Sequence, residues 1–145
     1  MKKKDKDFIE DNLKHLRITV DIINEGMQKY EWNKHELAGI GVYLANVYNG
    51  YETILRTMLL DKEKVIPKGE QWHKNLLDVA KSEGLVPNEM SVTLKGMLAF
   101  RHRQTHGYSH MLKENDLRHF SLEVVKYHHV FEKHIQKIME EITFE

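Results

Sequence analysis

The chain has 145 residues, 22 basic and 22 acidic side chains, 10 His and a 41% hydrophobic composition, enough for one domain (1–145) around one core and too little for two. Its 2 Pro, 8 Gly and lack of Cys exclude collagen-like and low-complexity classes, disulfides and thiolate metal sites, and suit a reducing cytoplasm. Zero formal net charge exerts no bulk pull on nucleic acid, so a polyanion site must be a local patch, and no apolar run is long enough for a signal peptide or a membrane span.

The first segment sets Phe8, Leu13, Leu16, Val20, Ile23, Met27 and Tyr30 at steps of three, four or five, which predicts a helix from Asp5 to Tyr30 with one apolar stripe. The second, Asn33 to Leu60, repeats the pattern through Leu37, Ile40, Leu44, Val47, Tyr51, Ile54 or Leu55, and Met58, and Asn33 with Glu36 three residues on reads as a capping box. Tyr43, Tyr48 and Tyr51 ring this helix, which predicts cover on more than one side, as a homodimer would provide. Gly39 and Gly41, with Ala38 and Ala45, mark either a dimer seam or close packing within the chain.

Asp61 to Glu70 lacks periodicity and carries Pro67 and Gly69, so it reads as a mobile, solvated loop. Gln71 to Glu83 places Trp72, Leu76, Val79 and Ala80 on one side and ends at Gly84, a natural helix stop. Pro87 and Asn88 open a fourth helix in which Met90, Leu94, Met97 and Leu98 face inward until Gly107. Asn115 or Asp116 caps the fifth, whose apolar stripe is Leu117, Phe120, Val124, Tyr127, Phe131, Ile135, Ile138 and Ile142. His128, His129 and His134 lie among its lysines and read as a solvated face, with an RNA-binding face as the alternative. No segment alternates with period two, and short loops make sequential helices antiparallel neighbours. The fold class is all-α, an antiparallel bundle of four to five helices.

The densest polar cluster is Arg101-His102-Arg103-Gln104-Thr105-His106-Gly107-Tyr108, at the end of the fourth helix. On a helix His102 and His106 stand one turn apart, and a break at Gly107 turns Tyr108 back toward them. Such groups suit phosphodiester chemistry: guanidinium forks two phosphate oxygens, and imidazole exchanges protons near neutral pH. RNA brings its own nucleophile, because its 2′-hydroxyl can attack the adjacent phosphorus once a base removes the proton, and no metal is required. Two other readings stand beside this one. Arg and His at a helix C-terminus also satisfy the macrodipole, with Gly107 as a plain cap. A ladder of His102, His106 and His110 would be a metal site, against which Gly107 interrupts the helix and no acid joins the cluster.

Arg101, four residues, His106, one residue, then Tyr108 resembles the signature of HEPN ribonuclease toxins of the HepT-like group, with His102 in the polar position after the Arg. Asn46-Val47-Tyr48-Asn49-Gly50-Tyr51-Glu52 is similar to an Asn-x-Tyr-x-Gly-x-Glu stretch of one HepT-like subgroup, and Gln71-Trp72-His73 resembles its Trp-His pair before Leu-Leu. The resemblance spans roughly helices two to five. It implies a HEPN-like bundle acting as a homodimeric, metal-independent endoribonuclease without cofactor, the toxin of a bacterial toxin–antitoxin pair. By position, Arg101 would stabilise the phosphate, His106 would transfer protons and His102 would orient or assist. Tyr108 would receive AMP groups from a nucleotidyltransferase antitoxin, an added anion that excludes RNA from Arg101.

Asn49 and Glu52, one turn apart on helix two, are candidates to orient Arg101 or His106, although Asn49-Gly50 equally suits close helix packing. Trp72 reads as core and His73 as a rim contact. The alternative function is a non-catalytic HEPN binding module that partners a nucleotidyltransferase or holds a nucleotide.

Overall fold

A computed structural model describes residues 1–105 and 113–142 of the chain. Among these residues the elements are α1 (Lys3–Met27), α2 (Lys34–Asp61), α3 (Trp72–Ser82), a 3₁₀ turn (Asn88–Met90), α4 (Ser91–Thr105) and α5 (Glu114–Glu140). The fold is an all-α bundle, as the periodicity predicts.

Helix α2 is the central element. It touches α1, α3, α4 and α5, which is why its apolar residues are not confined to one stripe: Leu44, Val47, Tyr48, Tyr51, Ile54, Leu55, Met58 and Leu59 are all buried. The cover expected from a second protomer over Tyr48 and Tyr51 is thus supplied by the chain itself. Residue pairing gives the helix directions. The Gly26 backbone approaches Ile40 and the Gly50 backbone approaches Leu16, so α1 and α2 run antiparallel. Arg17 pairs with Glu132, while Arg118 reaches Lys29 and Tyr30, so α1 and α5 also run antiparallel. Thr93 bonds Glu123 and Gly96 lies against Phe120, giving the same relation for α4 and α5.

The inner stripe of α1 is Ile9, Leu13, Leu16, Val20 and Ile23. Two expected members fall outside it: Phe8 is 48% exposed and Tyr30, beyond the helix end, is 96% exposed. Ile9 takes the place of Phe8 because it stands four residues before Leu13. No glycine closes α1. Instead Arg118 of α5 donates to the carbonyls of Met27, Lys29 and Tyr30 at 3.4, 2.6 and 3.1 Å and lies 4.0 Å from the ring centre of the buried Trp32, so a cation from a distant helix satisfies the end of this one.

The capping box of α2 is present, with Asn33 Oδ1 accepting from Glu36 N and Glu36 Oε1 from Asn33 N, both at 2.9 Å. Helix α3 ends in a Schellman turn: Gly84 N donates to Lys81 O at 3.0 Å and Leu85 N to Ala80 O at 2.9 Å, with Gly84 at φ +73°. The 62–71 connection is exposed apart from Ile66.

The start of α5 departs from the sequence expectation. The N-cap is Lys113 and the helix begins at Glu114, ahead of Asn115 and Asp116. The Glu114 carboxylate takes the Trp32 backbone N–H at 3.2 Å and, within the helix, Arg118 Nε at 3.0 Å, so one tertiary bond and one i, i+4 bond order the first turn in place of a side-chain cap. The second departure is His128. It is 5% exposed, with Tyr51 Oη 2.9 Å from its Nδ1, and so belongs to the core rather than to a solvated face. Its spacing from Val124, Phe131 and Ile135, all buried, puts it on the inner stripe.

Candidate active site

The polar residues nearest the end of α4 are organised by one turn of α2. Tyr48, Asn49 and Glu52 share that turn, and the i, i+3 and i, i+4 spacings make them neighbours on the helix surface. Arg101, half-buried on α4, donates from Nε to Asn49 Oδ1 at 2.6 Å. Its remaining guanidinium nitrogens carry the charge-assisted donors that a phosphate would take. Gly50, next to Asn49, lets α1 approach: a Cβ built there would stand 2.5 Å from Leu16 Cδ2. The Asn49-Gly50 pair therefore does both things the sequence allowed, one residue holding Arg101 and the other admitting a helix.

Glu52 gathers a second set of groups. Tyr48 Oη donates to Glu52 Oε2 at 2.9 Å, and His73 Nδ1 stands 2.8 Å from the same oxygen. Burial pushes the Tyr48 phenol far above its ordinary titration range, the Glu52 charge and hydrogen bond push it further, and the nearby Arg101 cation opposes them. Tyr48 is therefore a neutral donor. His73 was expected to be a rim contact only. It reaches Glu52 because Gly69, at φ +126°, turns the loop so that its carbonyl accepts from Trp72 N at 3.1 Å, and Asn75 Nδ2 fastens the same loop through Pro67 O at 3.0 Å. These bonds start α3 at Trp72 and put His73 in its first turn. Trp72 is partly buried against the core, its ring 5.1 Å from that of His73 and 5.7 Å from the Arg56 guanidinium.

His102 and Arg103 are exposed on the last described turns of α4. His106, Gly107, Tyr108 and His110 lie outside the described residues, so the expectations placed on them, the helix end at Gly107 among them, are not addressed by this geometry. Among the described residues no group of three His, Asp or Glu side chains is arranged to hold a metal ion. A hollow of about 770 Å³ at Met1, Phe8 and Asp61 and another of about 600 Å³ at Gly84, Glu89 and Lys133 share no residue with this network. A groove of about 280 Å³ between α1 and α2, lined by His15, Asn46, Asn49 and Thr53, borders it.

An all-α bundle with this element order, presenting a held arginine at the end of α4, is a HEPN-like helical bundle. More narrowly, a family model described as HepT-like protein matches residues 39–142, and the chain belongs to that family. No curated protein and no solved structure matches the chain. No helix among the described residues is long and apolar enough to cross a membrane.

Proposed function

We propose that this HepT-like protein is a metal-independent endoribonuclease, the cytoplasmic toxin of a bacterial toxin–antitoxin pair, acting as a homodimer whose two Arg-His motifs meet at one cleft. The family is associated with ribonuclease toxins and toxin–antitoxin pairs. The observation that carries the reading is Arg101, held by Asn49 at the end of α4 inside the matched region: a guanidinium fixed by a neutral acceptor keeps its charge for substrate. The α1 helix precedes the matched residues yet lies along α2 and α5, which supports treating 1–145 as one domain.

In this reading Arg101 grips the scissile phosphate and stabilises the charge that builds on its oxygens. His106 transfers a proton and His102 orients or assists. The 2′-hydroxyl attacks, the O2′–P bond forms, the P–O5′ bond breaks and O5′ is protonated, leaving a 2′,3′-cyclic phosphate and a 5′-hydroxyl. Tyr108, two residues beyond His106, accepts AMP groups from a nucleotidyltransferase antitoxin, and the added phosphate competes with RNA for Arg101.

Arg101→Ala and His106→Ala should each lower RNA cleavage at least about 10²-fold, the scale of losing one preorganised charge or one acid–base group, and relieve growth inhibition while the protein stays folded. A wild type that cuts no RNA, with neither substitution relieving growth arrest, would instead favour a binding module. Tyr108→Phe should retain cleavage and escape silencing. Intact-mass measurement after incubation with ATP and the antitoxin should show AMP adducts on wild type alone; an unmodified wild type contradicts the assignment.

A further inference from the structure

We infer that His73, held through Nδ1 by Glu52 on the α2 turn that also holds Arg101, is the general base that removes the 2′-hydroxyl proton of the RNA substrate; this rests on the ribonuclease reading above. A carboxylate has only lone pairs to offer, so both groups that meet Glu52 Oε2 must donate to it: Tyr48 Oη at 2.9 Å and His73 Nδ1 at 2.8 Å. In the neutral form of the ring this bond places the proton on Nδ1 and leaves the lone pair on Nε2. A histidine oriented by a carboxylate with Nε2 bare is a resting base. Exposure supports the same direction of function. The Glu52 side chain is 12% exposed and that of His73 39%, so the pair is anchored below the surface while the ring remains open to a ligand.

Asn49, which holds Arg101, and Glu52, which holds His73, are three residues apart on α2, and such side chains start about 5–6 Å apart on a helix surface. The phosphate-gripping cation and the free imidazole are thus mounted on adjoining anchors, and the Arg101 charge is felt at the Tyr48 hydroxyl. His73 Nε2 takes the proton from the 2′-hydroxyl as the O2′–P bond forms. The P–O5′ bond breaks and O5′ is protonated as in the ribonuclease reading above, and neither an oxidant nor a co-reactant enters.

The test is the pH dependence of RNA oligonucleotide cleavage between about pH 5 and 9 in EDTA, for wild type, His73→Gln, Glu52→Gln and Arg101→Ala, each checked for folding by thermal melting. Wild type should gain about tenfold per pH unit on the acidic side until His73 is deprotonated. His73→Gln should lose about 10²–10⁴-fold and lose that acidic limb. Glu52→Gln, which puts an amide in place of the carboxylate that orients the ring, should lower the rate at every pH while keeping the acidic limb. A folded His73→Gln with the wild-type limb, or a Glu52→Gln as fast as wild type, overturns the base assignment while leaving the ribonuclease reading intact. Wild-type protein that cleaves no RNA overturns both.

Discussion

Two histidines, each tied to α2 by one hydrogen bond, sit in opposite surroundings. His73, itself partly exposed, faces the Glu52 carboxylate, whereas His128 faces the Tyr51 phenol inside the core. Burial pushes His128 below its ordinary value, with Arg17 and His129 acting in the same direction and Glu132 and Asp21 against them. Burial and the Glu132 charge push Tyr51 far above its ordinary range. The phenol and Nδ1 share one hydrogen bond, and Nε2, buried without a hydrogen-bond partner, stands 3.8 Å from Glu132 Oε2; in the tautomer that carries the proton on Nε2 the phenol donates to Nδ1. Because the folded protein disfavours charging His128, the unfolded chain binds more protons once the pH drops below the unfolded value of about 6.5. Stability should therefore be unaffected by this group above that pH and fall below it by up to about 1.4 kcal/mol per unit, the limit for one proton. Urea unfolding of wild type and His128→Gln between pH 5 and 8 measures this directly. The variant should lose part of the acid slope, and identical slopes would show that His128 is not the group being charged. The sequence made His128 look solvated because lysines and two further histidines surround it. Its four-, three- and seven-residue distances from Val124, Phe131 and Ile135 carried the correct signal.

At the scale of elements, what lies within one helix was legible and what depends on two helices was not. The Asn33–Glu36 capping box and the Gly84 stop follow from local chemistry, and both are present. The Arg118 clamp on the end of α1 and the Glu114 bond that starts α5 join residues 82 to 91 positions apart, and no periodicity foreshadows them. The candidate site divides the same way. Asn49 and Glu52 stand out by their one-turn spacing on α2, where Tyr48 also meets Glu52 within the helix, but His73 joins the network only when α3 lies against α2. Gly50 links this site to packing. Gly50→Ala gains up to about 1 kcal/mol of helix propensity and loses about 1–3 kcal/mol by crowding Leu16, so a net loss of about 1 kcal/mol is expected, read as a lower urea midpoint. A midpoint at or above wild type would mean that Leu16 yields freely and that α1 does not need this glycine.

Across the whole molecule the formal charges balance, and the polar groups of the candidate site are gathered by geometry instead of by net charge. The central α2 holds the core with its apolar residues and anchors the candidate site with one polar turn, so the arginine and the imidazole are positioned by the same helix that organises the fold. The family match and the helical architecture were foreshadowed by the Arg101-to-Tyr108 spacing and by the stripes. Pairing between two copies of the chain is a property of two molecules, and one molecule's periodicity does not encode it; the aromatic ring of α2, which pointed to a partner, is covered largely from within. The reading of this protein as a metal-independent ribonuclease is tested most directly by incubating it in EDTA with an RNA oligonucleotide and with the same strand bearing 2′-O-methyl groups. It predicts cleavage of the first, with 2′,3′-cyclic phosphate ends, and none of the second. Cleavage of the methylated strand, or loss of all cleavage on chelation, would contradict it.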